Sequence, residues 1–159
     1  MTPKIEYAKI EQFHVFRLNG DIRYGDVVSL QQFVEQLKSE NLAFILDLTN
    51  TNHLDSTALG TLALMAKYSR EAGVEKATIY VTDPIVKETL LGVCFDLVFN
   101  IESAEAPLNP SESFAEVEPV DIEAESLAGV VKKAHLTLAD ICESNKALFK
   151  DVNDLLKKS

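Results

Sequence analysis

Cysteine is scarce in this chain of 159 residues: only Cys94 and Cys142 occur, far apart and without a CxxC or histidine-rich setting. That scarcity argues against a zinc site and against a disulfide framework, so both are read as buried thiols. No apolar run approaches the roughly 20 residues that a membrane span needs, and the N-terminus lacks the basic, apolar and small-residue succession of a secretory leader. A cytoplasmic protein with no membrane partner is expected. Basic residues are also few, 15 Lys and Arg against 25 Asp and Glu, and the formal charge of −10 repels nucleic acid phosphates. Missing too are a P-loop, a dinucleotide glycine fingerprint and any metal-ligand cluster, so no cofactor and no metal are expected.

The acidic charge is unevenly spread. Residues 102–126 hold eight acidic side chains and no Lys or Arg, which supplies −8 of the −10. With Pro107, Pro110 and Pro119 and few large apolar residues, this stretch reads as an extended or mobile linker, or alternatively as an acidic docking peptide. It separates residues 1–101 from a C-terminal segment, residues 127–159. The length and the 47% apolar content suit one domain with a core plus an appendage.

Ile5 to Ile10 and Phe13 to Leu18 predict two strands in a hairpin, ended by Gly20-Asp21. Asp26 to Ser39 carries Val27, Leu30, Phe33, Val34 and Leu37 near helical spacing, and Phe44 to Leu48 is a continuous apolar run typical of a strand covered on both faces. Ser56 to Ala72 predicts a helix stopped by Gly73. Ala77 to Val81 is a strand, Pro84 to Leu91 a helix opened by a first-turn proline, and Leu97 to Ile101 a last strand. The order β-β-α-β-α-β-α-β implies an α/β fold, a mixed sheet packed with helices.

Helical periodicity returns after the linker. Leu127, Val131, Ala134, Leu138, Ile141, Asn145, Leu148, Val152 and Leu155 alternate in steps of four and three, a heptad seam in which Asn145 takes an a-type position. A buried asparagine there fixes register and dimeric state, which makes Asn145, Leu148 and Val152 candidate oligomerisation residues of a homodimer. The e-type flank, Ala128, His135, Cys142, Phe149 and Leu156, is uncharged and widens the stripe beyond a two-stranded seam. Thr137 with Asp140 also allows a new helix after a break. Self-association, docking on the protein's own domain and binding to another protein therefore stay open.

The most informative stretch runs from Phe44 to Leu62. A strand leads through a polar loop into Asp55-Ser56-Thr57-Ala58-Leu59-Gly60, an aspartate and two hydroxyls at a helix start, where unpaired N–H groups and the positive end of the helix dipole lie. That hexapeptide after a hydrophobic strand resembles the phosphorylation motif of STAS domains, the fold of bacterial anti-sigma factor antagonists. The resemblance covers Ile5 to Ile101 by order of elements, with Leu18-Asn19-Gly20-Asp21-Ile22 in place of the family's early glycine turn, and departs at Ala58, where many members have glycine. It implies a serine, Ser56 with Thr57 in reserve, that is bare when the protein binds an anti-sigma factor with serine kinase character and phosphorylated when it is released. A phosphoserine phosphatase would complete the cycle, and ATP would enter only through the kinase. It also places Asp21 beside Asp55, Ser56, Thr57 and Ala58 on the partner surface.

Asp and Ser are the preferred caps of helices, worth about 1 kcal/mol, so a plain cap is the competing explanation of Asp55 and Ser56. The helix behind them is apolar almost all round. Leu59, Leu62, Ala63 and Ala66 can cover the sheet, and Leu64, Met65 and Tyr68 are left either for a wide core contact or for a partner. His53, Asp55 and Ser56 are residue types of a hydrolase triad but are too nearly contiguous for its geometry, and no G-x-S-x-G elbow is present, so an enzyme is not expected. The expected function is that of a switched antagonist. The alternative is a constitutive scaffold or subunit, as in STAS domains attached to transporters or lipid-trafficking complexes, where the serine only caps a helix.

Overall fold

The structure, a computed structural model, describes residues 4–37, 41–109, 112–119 and 123–157. The helix end expected at Ser39, Pro110 of the linker and the last two residues of the tail lie outside them. Strands β1 (Ile5–Ile10) and β2 (Phe13–Leu18) form the expected antiparallel hairpin, turned at Glu11, whose φ is +57°. β4 (Ala43–Asp47) then pairs parallel with β2, β6 (Ala77–Tyr80) with β4, and β7 (Phe99–Glu102) with β6. With β8 (Ala115–Glu116) at the edge beside β1, the central sheet has the order β7-β6-β4-β2-β1-β8.

Period-two alternation decides which face is buried. Leu46 stands in register with Phe16 and Ile79, and Ile79 with Ile101. All four belong to, or pack against, the core that also takes in Val27, Leu30 and Val34 of helix α1 (Tyr24–Gln36) and Leu59 and Leu62 of helix α2 (Ser56–Glu71). On the opposite face Ile45 and Thr78 are only half-buried and Asn100 is exposed. The Phe44 to Leu48 run is therefore less covered than a strand buried on both faces. Helix α2 ends where expected: Gly73 has φ +74°, the N–H of Val74 donates to Ser69 O at 3.0 Å and that of Gly73 to Arg70 O at 3.1 Å. Helix α3 (Pro84–Gly92) opens on its proline, capped by Asp83 Oδ1, which accepts from the Ile85 N–H at 2.8 Å.

Three features differ from the sequence reading. The polar loops before α1 and α2 each contain a short strand, β3 (Gly20–Ile22) and β5 (Thr51–Leu54), paired parallel as a separate ribbon. The acidic linker is partly strapped to the sheet: β8 (Ala115–Glu116) pairs with β1, Val117 donates to Ile5 O at 2.9 Å, and the Arg17 guanidinium lies 3.8 Å from the Phe114 ring centroid.

The third difference is the tail. The seam is not one helix but three, α4 (Ala124–Ala139), α5 (Glu143–Leu148) and α6 (Lys150–Lys157), broken first where Cys142 takes an extended backbone and again at Phe149. The reason is attachment to the domain. Cys142 is disulfide-bonded to Cys94, their Cα atoms 6.7 Å apart, so the two are not separate buried thiols as the sequence suggested. Asn145 is buried within its own chain, its Nδ2 donating to Val93 O at 2.8 Å and to Leu138 O at 2.9 Å. Leu148 and Val152, expected in the same seam, are exposed.

Candidate site at the start of the second helix

The β3–β5 ribbon delivers the chain to α2. Gly20 N–H donates to Asn50 O at 2.8 Å and Thr51 Oγ1 to Leu18 O at 2.7 Å, which hold the two loops side by side. Asp21 stands opposite His53 and Ile22 opposite Leu54, and the Asp55 N–H closes the ribbon on Ile22 O at 3.1 Å. Gly20, at φ +78°, occupies a left-handed conformation that a larger residue resists, which is why the turn carries glycine.

Asp55 is the N-cap of α2 and does more than cap it. Its Oδ1 accepts from the Ala58 N–H at 2.8 Å, and its Oδ2 accepts from the Tyr24 N–H at 2.8 Å, the first residue of α1. One carboxylate thus satisfies unpaired donors at two helix starts and complements both positive ends. Ser56 follows as the first helical residue, half-buried, with Thr57 buried behind it.

The tail lies over this corner. His135 of α4 is 7% exposed, and its Nε2 is 2.9 Å from Ser56 Oγ and 3.3 Å from Thr57 Oγ1. Burial lowers the His135 pKa below its ordinary 6.5, and the charge of Asp55 opposes that shift without cancelling it. One turn on, a Cβ built at Gly60 would lie 2.8 Å from the Cβ of Ala134 and closer still to its carbonyl, so glycine is what lets the two helix backbones touch. Further along α2, the Tyr68 hydroxyl donates to Glu35 of α1, and Lys133 of α4 donates to the same carboxylate at 2.9 Å with its ammonium 5.5 Å from the Tyr68 ring centroid. Burial, with the Glu35 hydrogen bond adding to it, raises the Tyr68 pKa.

The fold brings Asp21, Asp55, Ser56, Thr57 and Ala58 to one corner, but it leaves only part of that set open. Asp21 and Ser56 are half-buried, whereas Thr57, Ala58, Leu64 and Tyr68 are buried in the closed chain. The exposed rim is formed instead by Arg23, Tyr24, Asn52 and His53. The sequence reading missed His135, 79 residues from Ser56 in the chain, and Gly60 as a packing residue. A glycine inside an otherwise apolar helix was the available signal for the second, since it costs about 1 kcal/mol against alanine without a reason of packing. A serine beside a histidine also raises hydrolysis. Yet His135 Nδ1, where an orienting carboxylate would bond, is buried without a hydrogen-bond partner among the described residues.

Among the described residues no cluster of His, Cys, Asp or Glu is arranged to hold a metal ion, and no helix is long and apolar enough to cross a membrane. The family model described as the STAS domain matches residues 4–106, about two thirds of the chain. Comparison with curated proteins gives no match.

Proposed function

Because this chain belongs to the STAS domain family, whose typical role is anti-sigma factor antagonism without enzymatic activity, we propose that it is a phosphorylation-switched antagonist in a partner-switching pathway that regulates transcription. In this reading it binds an anti-sigma factor of serine kinase character when Ser56 is bare, loses it when that kinase phosphorylates Ser56, and is reset by a phosphoserine phosphatase. The observation that supports it is the placement of Ser56: first residue of α2, directly behind the doubly bonded Asp55 and at the end of the β3–β5 ribbon. Phosphate there adds about −1.5 to −2 charges beside Asp55. The helix N-terminus tolerates that charge in the free protein, while an apolar or acidic partner surface does not, so the modified form is released.

The test is intact mass and site mapping after incubation with the cell's own serine kinase and ATP. One phosphate on Ser56 is expected, absent from Ser56→Ala, with Ser56→Ala retaining the kinase and Ser56→Asp losing it. Modification that persists unchanged in Ser56→Ala moves the site elsewhere, first to Thr57. The second reading, a constitutive STAS scaffold, draws on the cover that α4 places over the same serine. It is favoured if neither substitution alters any interaction.

A further inference from the structure

The face that the proposed function needs open is the one that the tail closes. Helix α4 runs along α2 from Ser56 to Tyr68, with His135 on the two hydroxyls, Ala134 against Gly60 and Lys133 reaching Glu35. His135 Nε2, 2.9 Å from Ser56 Oγ, obstructs a kinase's approach to that hydroxyl, and a partner helix cannot pack where the α4 backbone already lies.

The cover is held at both ends. Before it, β8 is paired to the edge of the sheet; after it, Cys142 is bonded to Cys94. Its own packing is incomplete. His135 Nδ1, Asn145 Oδ1 and Asn153 Oδ1, all in the tail, are buried polar atoms without a hydrogen-bond partner among the described residues, and each such atom offsets part of the gain from docking. The disulfide itself is accessible: both cysteines are only half-buried, and the exposed Ser144 places its Oγ 3.4 Å from one sulfur and 3.2 Å from the other.

We propose that helices α4 to α6 are a removable cover over Ser56 and that the Cys94–Cys142 disulfide is its latch, opened by a dithiol reductant. The inference rests on the reading of Ser56 and its helix as the partner face. One thiolate of the reductant attacks a sulfur of the disulfide, breaking the S–S bond and leaving a mixed disulfide, and the released cysteine thiolate takes up a proton. The second thiolate of the reductant then attacks the reductant's own sulfur in that mixed disulfide, so the other cysteine is released as a thiolate that takes up a proton, and the reductant departs as its oxidised cyclic disulfide. Two electrons and two protons pass to the chain in all. With the latch reduced, α4 stays tethered through the linker and β8, so it swings away rather than departing, and tail and partner compete for α2.

Hydrogen exchange of the full chain, oxidised and reduced, tests the latch without any partner. Reduction should speed exchange in α4 and the first turns of α2 by roughly 5- to 150-fold, the span of an ordinary coupling between sites, with β2 and β4 as unchanged internal references. Cys142→Ser, and separately Cys94→Ser, should exchange like the reduced chain with or without reductant. Equal exchange in the oxidised and reduced forms overturns the latch, as does a serine variant that still responds to reductant. Phosphorylation by the serine kinase and ATP is then timed on both forms, and faster transfer to Ser56 in the reduced form supports the cover. Equal rates despite an opened α4 overturn it. An α4 that opens on reduction with no phosphate on Ser56 in either form supports the latch and refutes the phosphoacceptor reading instead.

Discussion

Replacing Gly60 by alanine should have opposite effects on the two parts of the molecule. Within α2 alone the change is favourable by about 1 kcal/mol, because glycine in a helix interior loses more conformational freedom on folding than alanine. Against α4 it is unfavourable. The new methyl meets the backbone and Cβ of Ala134 rather than the end of a flexible side chain, so the helix itself has to move, and overpacking of this kind costs about 1–3 kcal/mol. The cost falls on the docked state alone, so the docking equilibrium of α4 should shift roughly 5- to 150-fold toward the open form. The disulfide resists that shift by closing the chain across 48 residues, a constraint worth about 4 kcal/mol in the loop-entropy description. The effect is therefore best read with the disulfide reduced, by hydrogen exchange resolved to α4. Gly129 supplies the control: it lies exposed within α4 and a Cβ there meets nothing within 4 Å, so Gly129→Ala should slow exchange in the same helix. If Gly60→Ala leaves α4 exchange unchanged and raises global stability by about 1 kcal/mol, the close approach to Ala134 is not what Gly60 is for.

Docking of the tail should also depend on pH through His135, whose folded pKa lies below 6.5: its contribution is fully present above 6.5 and is lost as pH falls from there through the lowered value, and His135→Asn should abolish that dependence in an α4 exchange profile. Asp55→Ala removes the acceptor of both the Ala58 and the Tyr24 N–H groups and should cost about 1–3 kcal/mol in urea unfolding, against about 1 for a simple cap. Asn145→Leu removes the buried side-chain donor to Val93 O and Leu138 O and should destabilise the tail by about 1–3 kcal/mol; a stabilised, associating variant in sedimentation would restore the dimer seam. Brief proteolysis should cut first between Ser103 and Asn109, ahead of residues 114–117, which are tied to β1 and Arg17.

What the sequence made legible was whatever local chemistry dictates. Strands β1, β2, β4 and β6 follow from apolar runs, and the ends of α2 and α3 from Asp55, Gly73 and Pro84, each of which acts through its own backbone or its near neighbours. The ribbon escaped because β3 and β5 are three and four residues long and carry Asp21, Asn52 and His53, so neither has a hydrophobic period. Each exists only because the other lies beside it. The Cys94–Cys142 bond escaped for a similar reason: nothing in a separation of 48 residues signals contact until the tail is known to return.

The tail was ambiguous rather than silent, and its uncharged e-type flank decided between the readings. A two-stranded coiled coil needs charge on that flank to choose its partner, whereas here the flank carries His135, Cys142 and Phe149. Those residues attach the tail to the domain together with Lys133, Ala134 and Asn145. His135 meets Ser56, Cys142 is bonded to Cys94, and Phe149 packs against the core with its ring 6.1 Å from that of His135. The seam positions Leu148 and Leu155, at 63% and 69% exposed, face outward instead. The break at Cys142 is thus what turns a heptad pattern into a docked cover. Beyond it the buried positions of α5 and α6 are Asn145 and Asn153, with Phe149 half-buried between them, while Leu148, Val152 and Leu155 of the seam face outward. A tail whose buried stripe changes course at its only cysteine is fixed at that residue, so the chemistry of one bond governs how the rest of the cover sits.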